Sequence, residues 1–174
     1  IVLMLLLNTV LTCFRRAIML TDGVKSATFP GKVGKKDDGK FIVTGAIGTV
    51  PGADGKALSA LTQMWKTKKN QAVGEYVPQA WDATALLALA AQAAKANTGE
   101  AIASKLREVS NAPGEAVTDV CKGLELLRKG QDINYQGASG NVDVDANGDV
   151  VGVYDVWTVK DDGTLGTIGQ VSPK

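Results

Sequence analysis

The most informative absence from this chain is histidine, which occurs nowhere among its 174 residues. Without imidazole there is no Ser-His-Asp or Cys-His pair to activate a nucleophile, no imidazole general base and no histidine ligand for a metal ion. Cysteine is nearly absent too: Cys13 and Cys121 lie far apart, and their spacing leaves open whether they pair. The sequence therefore predicts neither a catalytic residue nor a metal site.

A charge excess is also missing, because 19 basic and 18 acidic residues leave a net charge of +1. A protein that binds nucleic acid or an anionic membrane needs a basic surface to attract phosphate. Hydrophobic residues make up 45% of the chain and charged residues 21%, as in ordinary globular proteins. We expect a folded domain with no nucleic-acid partner and no cofactor.

The apolar start of the chain, residues 1–11, is interrupted by Asn8 and Thr9 and is shorter than the ~20 residues that span a membrane. In a signal peptide, basic residues precede the apolar stretch, whereas Arg15 and Arg16 follow it here. We expect the chain to begin inside a longer protein.

Hydrophobic spacing predicts short strands followed by helices. Apolar runs predict strands over residues 2–7, 17–20 and 41–44, and a glycine-rich, flexible crossing between domains over residues 45–55. Apolar residues at helical spacing predict helices over residues 57–69 and 80–96, and two more around residues 102–109 and 120–127. This order indicates an α/β fold.

The last forty residues alternate between apolar and polar positions, which predicts hairpins. One turn is expected at Asn147-Gly148, between valines at 142–144 and 150–153. A second is expected at Asp161-Asp162-Gly163, between strands over residues 156–159 and 165–168.

Two loops resemble binding motifs only in part. Asp143, Asp145 and Asn147 match the first half of a calcium loop, but Tyr154 stands where the bidentate Glu belongs, so a plain hairpin is the preferred interpretation. The stretch from Gly52 to Lys56 lacks both the first glycine and the Ser/Thr of a phosphate loop. Neither loop predicts a ligand.

Several segments together resemble the periplasmic leucine/isoleucine/valine-binding protein family. They are IMLTDGV (residues 18–24), FIVT (41–44), GEYV (74–77) with WDATALL (81–87), and YQGASG (135–140) leading to Trp157. The resemblance implies an α/β, two-lobed, doubly wound type I periplasmic-binding-protein fold, of which this chain is the C-terminal part. Residues 1–44 would end the second lobe, residues 45–151 would form the C-terminal portion of the first lobe, and residues 152–174 would return to the second.

The resemblance also implies three ligand-binding residues. Asp22 stands at the acidic position that receives the α-ammonium of an amino acid, Tyr76 at an aromatic position lining the side-chain pocket, and Trp81 at an aromatic position near the hinge. On spacing alone, Asp22 is a turn residue and the two aromatic residues are core residues. The groups that hold the ligand carboxylate in the family lie in the part of the first lobe that this chain lacks.

The function implied by the resemblance is capture of an amino acid for an ABC importer, outside the cytoplasm or in the periplasm, with the membrane permease as partner and no catalysis. One alternative is a ligand-sensing domain of a regulator or receptor, because one fold serves several functions. Another is a hydrolase or nucleotide-using enzyme, which the missing phosphate loop and nucleophile elbow disfavour.

Overall fold

The computed structural model describes residues 18–173, so the strand predicted over residues 2–7 and Cys13 lie outside the described residues. The described chain divides into two compact units. The first contains residues 18–50 and 155–169, and the second contains residues 51–154 together with the residues after Gly169. The chain thus crosses between units after Val50, after Tyr154 and after Gly169.

Three longer helices follow one another in the middle of the chain, and short strands and helices lie on either side of them. In chain order they are β1 (Met19–Leu20), a 3-10 turn (Asp22–Val24), α1 (Phe29–Val33), β2 (Ile47–Pro51), α2 (Leu58–Lys69), α3 (Val77–Ala94), α4 (Gly99–Ser110), β3 (Glu115–Val117), α5 (Val120–Arg128), β4 (Ile133–Tyr135), β5 (Tyr154–Val159) and β6 (Leu165–Val171).

A four-stranded sheet in the order β1-β2-β5-β6 organises the first unit. β1 and β2 are parallel, with Met19 opposite Ile47 and Leu20 opposite Gly48. β5 and β6 follow each other through a tight turn that Lys160 and Thr164 close with a 2.8 Å backbone hydrogen bond. The hairpin predicted at Asp161-Asp162-Gly163 is therefore confirmed.

Trp157 is the largest buried side chain of the first unit, with none of its surface exposed. It lies in a cluster with Val43, Ala46, Val50 and Val159. Gly48, on the neighbouring strand β2, faces the indole ring so closely that a Cβ atom there would overlap it. The glycine makes room for the tryptophan.

The core of the second unit forms around α3, which packs against α4 and α5. Leu89 and Ala90 of α3 are fully buried, and the parallel pair β3–β4 closes the cluster from another side with Val117, Ile133 and Tyr135. A helix that is apolar nearly all round is expected to be covered on several sides. The Ala/Leu-rich sequence of α3 meets that expectation.

Side-chain caps begin two of the helices. Asp119 accepts hydrogen bonds from the backbone N–H groups of Cys121 (2.7 Å) and Lys122 (3.2 Å), which the first turn of α5 leaves without helical partners. Thr98 accepts one from Ala101 at the start of α4. The helices predicted in this region are confirmed, with ends shifted by a few residues.

The strand predicted over residues 41–44 is wrong. Consecutive turns occupy this segment: Thr44 N–H bonds to Phe41 O, Ala46 N–H bonds to Val43 O, and Gly45 has a φ of +79°. The strand instead follows as β2, inside the segment predicted to be flexible. Its glycines indicated flexibility from the sequence, but Gly48 serves close packing within a strand.

The hairpin predicted at Asn147-Gly148 is only half right. A turn forms there, with Gly148 at a φ of +91° and a 2.8 Å bond from Asp145 N–H to Asp149 O. No strands flank it within residues 141–153. Val144 N–H bonds to the side chains of Ser110 and Asn111 instead of to a partner strand, while Val151 is 71% exposed.

We expect Gly48→Ala to lower the free energy of unfolding by about 1–3 kcal/mol, because the added methyl group overlaps the buried Trp157 ring. Gly31→Ala in α1 is the control, since a Cβ at Gly31 has no neighbour within 4 Å. Urea unfolding followed by tryptophan fluorescence measures both. Stability of Gly48→Ala equal to that of the control would contradict this packing.

Candidate functional site

Asp22 lies exposed in the first unit, where the chain leaves β1 and enters the 3-10 turn. Its Oδ1 accepts a hydrogen bond from Gly23 N–H at 2.9 Å. The carboxyl end of a strand in an open α/β sheet is where such folds present ligand-binding groups. The structure therefore places the Asp22 carboxylate at the carboxyl end of β1.

Tyr76 lies in the second unit, at the residue that precedes the first turn of α3. Its φ of +65° is in the left-handed region, which is unfavourable for a residue with a bulky side chain. The following Pro78 sits at the helix start, where its missing N–H has no cost. The ring is 42% exposed although it is large and mostly apolar. Backbone strain with an exposed aromatic ring is a combination found at ligand sites.

Trp81 follows one turn later on α3 and is partly buried. Its ring packs against a small cluster formed by Ala57, Leu61 and Ala138. The structure thus brings Tyr76 and Trp81 to the same end of α3, whereas Asp22 belongs to the other unit.

Sequence reasoning missed the most heavily bonded side chain of this region, Asp82, which is only 2% exposed. Its Oδ1 accepts hydrogen bonds from Tyr135 O–H at 3.0 Å and Ala138 N–H at 2.8 Å. Its Oδ2 accepts from Ser139 N–H at 2.7 Å and from Ser139 Oγ–H at 2.6 Å. Asp82 precedes the buried residues Ala85, Leu86 and Leu89 by three, four and seven positions, so it lies on the buried face of α3. An acidic residue on the apolar face of a predicted helix was the sequence signal that could have identified it.

The loop held by Asp82 also holds the start of α2. Asp54, Gly55 and Ala57 each donate a backbone hydrogen bond to a carbonyl of residues 137–139, at 3.0–3.3 Å. Gly55 and Gly137 have no room for a Cβ, since the first faces the loop backbone and the second faces the Asp82 carboxylate. The starts of α2 and α3 and the loop after β4 are therefore joined around one carboxylate.

The pKa of Tyr135 is raised well above its ordinary value. Burial of the phenol is the main cause, because it disfavours the charged phenolate. The negative charge of Asp82 and the hydrogen bond that Tyr135 donates to it act in the same direction. Tyr135 therefore stays protonated, as a donor to Asp82, across the physiological pH range.

The half-matched calcium loop is a self-contained turn. Asp145 Oδ1 accepts the backbone N–H groups of Asn147 (2.7 Å) and Asp149 (2.9 Å), and these bonds lower the pKa of Asp145. Across residues 18–173 there is no cluster of three or more acidic, cysteine or histidine side chains that could hold a metal ion. The loop is thus a turn that Asp145 closes by bonding to its own backbone, without the flanking strands of the expected hairpin.

No helix in the described part of the chain is both long enough and apolar enough to cross a membrane. Cys121 lies exposed near the start of α5.

Comparisons with known proteins agree on one family. The model of the family described as receptor family ligand binding region matches residues 7–162. The chemotactic signal transduction system substrate-binding protein BasB of Halobacterium salinarum is 37% identical over 90 residues, which make up 51% of this chain and 22% of that protein.

The crystal structure of the leucine binding protein LivK from Thermotoga maritima resembles this structure with a TM-score of 0.61 at 20% sequence identity. The likeness covers 95% of this chain and 40% of that one, so the chain spans less than half the length of these relatives. The expected fold class, part of an α/β type I periplasmic-binding-protein fold, is confirmed.

We expect calcium to leave the chain unchanged, because Asp145 already bonds to the backbone of its own turn. Isothermal titration calorimetry with calcium chloride and melting temperatures with and without calcium check this. Saturable binding at micromolar calcium that disappears in Asp145→Ala would contradict the prediction.

We expect alkaline pH to weaken the structure through Tyr135. Above pH ~10 the phenol ionises in the unfolded chain but stays protonated in the folded one, so the free energy of unfolding falls as pH rises through this range. Urea unfolding of wild type and Tyr135→Phe between pH 8 and 11.5 should show the stability difference between them shrinking above pH ~10. Tyr154→Phe, at a 40% exposed phenol, is the matched control, and equal shrinkage in both variants would contradict the assignment.

Proposed function

Because this chain belongs to the receptor family of ligand-binding regions, we propose that it is part of an extracytoplasmic solute-binding protein that captures an amino acid and delivers it to an ABC importer. The observation that carries the proposal is the exposed carboxylate of Asp22 at the carboxyl end of β1. A carboxylate forms strong, charge-assisted hydrogen bonds with the α-ammonium that every amino acid carries. The type I periplasmic-binding-protein fold supports the assignment of the chain to a class of ligand-binding proteins.

The aromatic residues at the start of α3 support the part of the proposal that concerns the side chain of the bound amino acid. Tyr76 would offer its largely exposed aromatic ring to an apolar side chain, and Trp81 lies in the first turns of the helix that Tyr76 precedes. Ligand pockets combine such apolar surfaces with a few polar groups that fix orientation. In the proposal, Asp22 binds the ammonium, Tyr76 and Trp81 line the side-chain pocket, and the carboxylate is held by parts of the protein that this chain does not contain.

We assign the two compact units to the two lobes of such a protein. Residues 1–44 and 152–174 would belong to the second lobe and residues 45–151 to the first. The crossings after Val50 and after Tyr154 lie within about six residues of these boundaries and support the assignment, whereas the residues after Gly169 group with residues 51–154. Closure of two lobes around a solute would then be the signal that the membrane permease reads. The proposed protein makes and breaks no covalent bond.

A second candidate function is sensing. The relative in Halobacterium salinarum is named as part of a chemotactic signal transduction system, and a ligand-binding module of this fold can pass its signal to a receptor as well as to a permease. Deleting the gene and measuring both uptake of labelled leucine and movement toward leucine separates the two. Lost uptake supports transport, whereas lost movement with intact uptake supports sensing.

For the complete protein, including whatever sequence flanks this chain, we expect Asp22→Asn to weaken amino acid binding by roughly 30-fold or more. The substitution keeps size and turn-forming ability but removes the charge opposite the ammonium, and loss of one member of a desolvated charge pair costs ~2–5 kcal/mol. Calorimetric titration of both proteins with aliphatic and polar amino acids measures the effect.

Asp38→Asn is the matched control, because Asp38 is also an exposed acid of the first unit that accepts a backbone N–H, from Lys40 at 3.0 Å. Melting temperatures report folding. Affinities of Asp22→Asn within about threefold of wild type, at equal stability, would rule out Asp22 as a ligand contact. No binding of any amino acid by the wild type would rule out the substrate class.

A further inference from the structure

Gln79 connects the start of α3 to the segment through which the chain enters the second unit. It is the third residue of α3, lies between the candidate ligand residues Tyr76 and Trp81, and is partly buried. Its Nε2 atom donates a 2.6 Å hydrogen bond to the backbone carbonyl of Gly52. Because a carbonyl oxygen can only accept, this bond requires the N–H side of the amide to face Gly52, and it so fixes the orientation of the side chain.

Gly52 is bonded in turn to the segment through which the chain leaves the same unit. The N–H of the buried Gly52 donates to Val153 O at 2.9 Å. Gly52 is the second residue after the crossing at Val50, and Val153 is the last but one before the crossing at Tyr154. Both residues and Gln79 belong to the second unit. Two consecutive hydrogen bonds therefore join the start of α3 to the backbone beside two of the crossings.

The residues that follow Gly52 are held by a separate set of bonds. Asp54, Gly55 and Ala57 donate backbone hydrogen bonds of 3.0–3.3 Å to the loop after β4, and the side chain of Gln79 takes no part in them. Removing the Gln79 amide is therefore expected to loosen Gly52 and to leave the start of α2 in place.

The amide of Gln79 is bonded on one side only. Its Oε1 atom is buried and has no hydrogen-bond partner among the described residues, which is unfavourable for an acceptor. In Gln79→Met that acceptor disappears, while the carbonyl of Gly52 loses its donor. Because these two effects oppose each other, we expect the overall stability to change little. Loss of the bond to Gly52 can thus be separated from loss of the fold.

We propose that Gln79 is a positioning residue that couples the start of α3 to the two crossings, so that a ligand held at the start of α3 also restrains the backbone of Gly52. The anchoring of Gly52 by Gln79 is a property of the fold. The effect of a ligand rests on the proposed function, in which Tyr76 and Trp81 line the pocket. Coupling between separate parts of a protein is carried by such hydrogen-bonded contacts.

The first experiment needs no ligand. In the complete protein, exchange of individual backbone N–H groups with deuterated water is followed by nitrogen-15 NMR. Gln79→Met keeps the length of the side chain and removes the donor. We expect the Gly52 N–H to exchange about fivefold faster, which corresponds to about 1 kcal/mol for one hydrogen bond. Leu89 and Ala90, which are fully buried in α3, should exchange at the wild-type rate.

Gln92→Met is the matched control, because it makes the same change in the last turn of α3, and we expect it to leave the exchange of Gly52 unchanged. Gln79→Glu is a second variant, since an ionised carboxylate can only accept and also gives Gly52 no donor. Wild-type exchange at Gly52 in both Gln79 variants would overturn the proposal. So would equal acceleration at Gly52, Leu89 and Ala90, since Gln79 would then act only on general stability.

The second experiment repeats the exchange measurement with leucine at concentrations that saturate each protein. We expect leucine to slow the exchange of Gly52 about fivefold in the wild type and in Gln92→Met, and to leave it unchanged in Gln79→Met. Equal slowing with and without the Gln79 amide, or none in the wild type, would overturn the coupling. If the wild type binds neither leucine nor any other amino acid, the proposed function fails, while the first experiment still decides whether Gln79 anchors Gly52.

Discussion

The buried carboxylate of Asp82 is the interaction on which the second unit's geometry depends most. Placing a charged carboxylate where only 2% of the residue is exposed is costly unless hydrogen bonds replace the lost water. Four donors from Tyr135, Ala138 and Ser139 do so, and all come from one short stretch of chain. The same bonds that compensate the charge therefore determine where that stretch lies against α3.

The consequences extend from this carboxylate to the candidate ligand residues. The loop it fixes accepts backbone bonds from the start of α2, and Ala138 of that loop supports the Trp81 ring together with Ala57 and Leu61. Tyr76 lies at the start of the same helix, with its backbone in the left-handed region. Rigid supporting structure beneath a binding residue is what allows such strain to persist. A buried acid thus shapes the surface that carries Tyr76 and Trp81.

Local sequence patterns predicted the helices correctly. The features that were missed depend on contacts between segments far apart in the sequence. Apolar spacing identified α2 to α5 because each helix buries one face or more, and Asn147-Gly148 and Asp162-Gly163 identified two turns because glycine at positive φ acts locally. Strand β2 was missed because Gly48 matters only beside Trp157, more than a hundred residues away. Asp82 was missed for the same reason, since its partners lie 53–57 residues further along the chain.

The position of Asp22 predicts how a binding site of this kind gains its strength. Two unit charges 4 Å apart attract each other by only ~1 kcal/mol in water but by ~4 kcal/mol at an effective dielectric constant of 20. An exposed carboxylate such as Asp22 therefore contributes little to affinity until water is displaced from it. In the proposed function, the groups that cover the ligand's ammonium must supply that displacement, so the contribution of Asp22 to affinity depends on how completely the ammonium is enclosed. A solute without an ammonium group would then leave the Asp22 carboxylate without a charged partner from the ligand and would bind weakly.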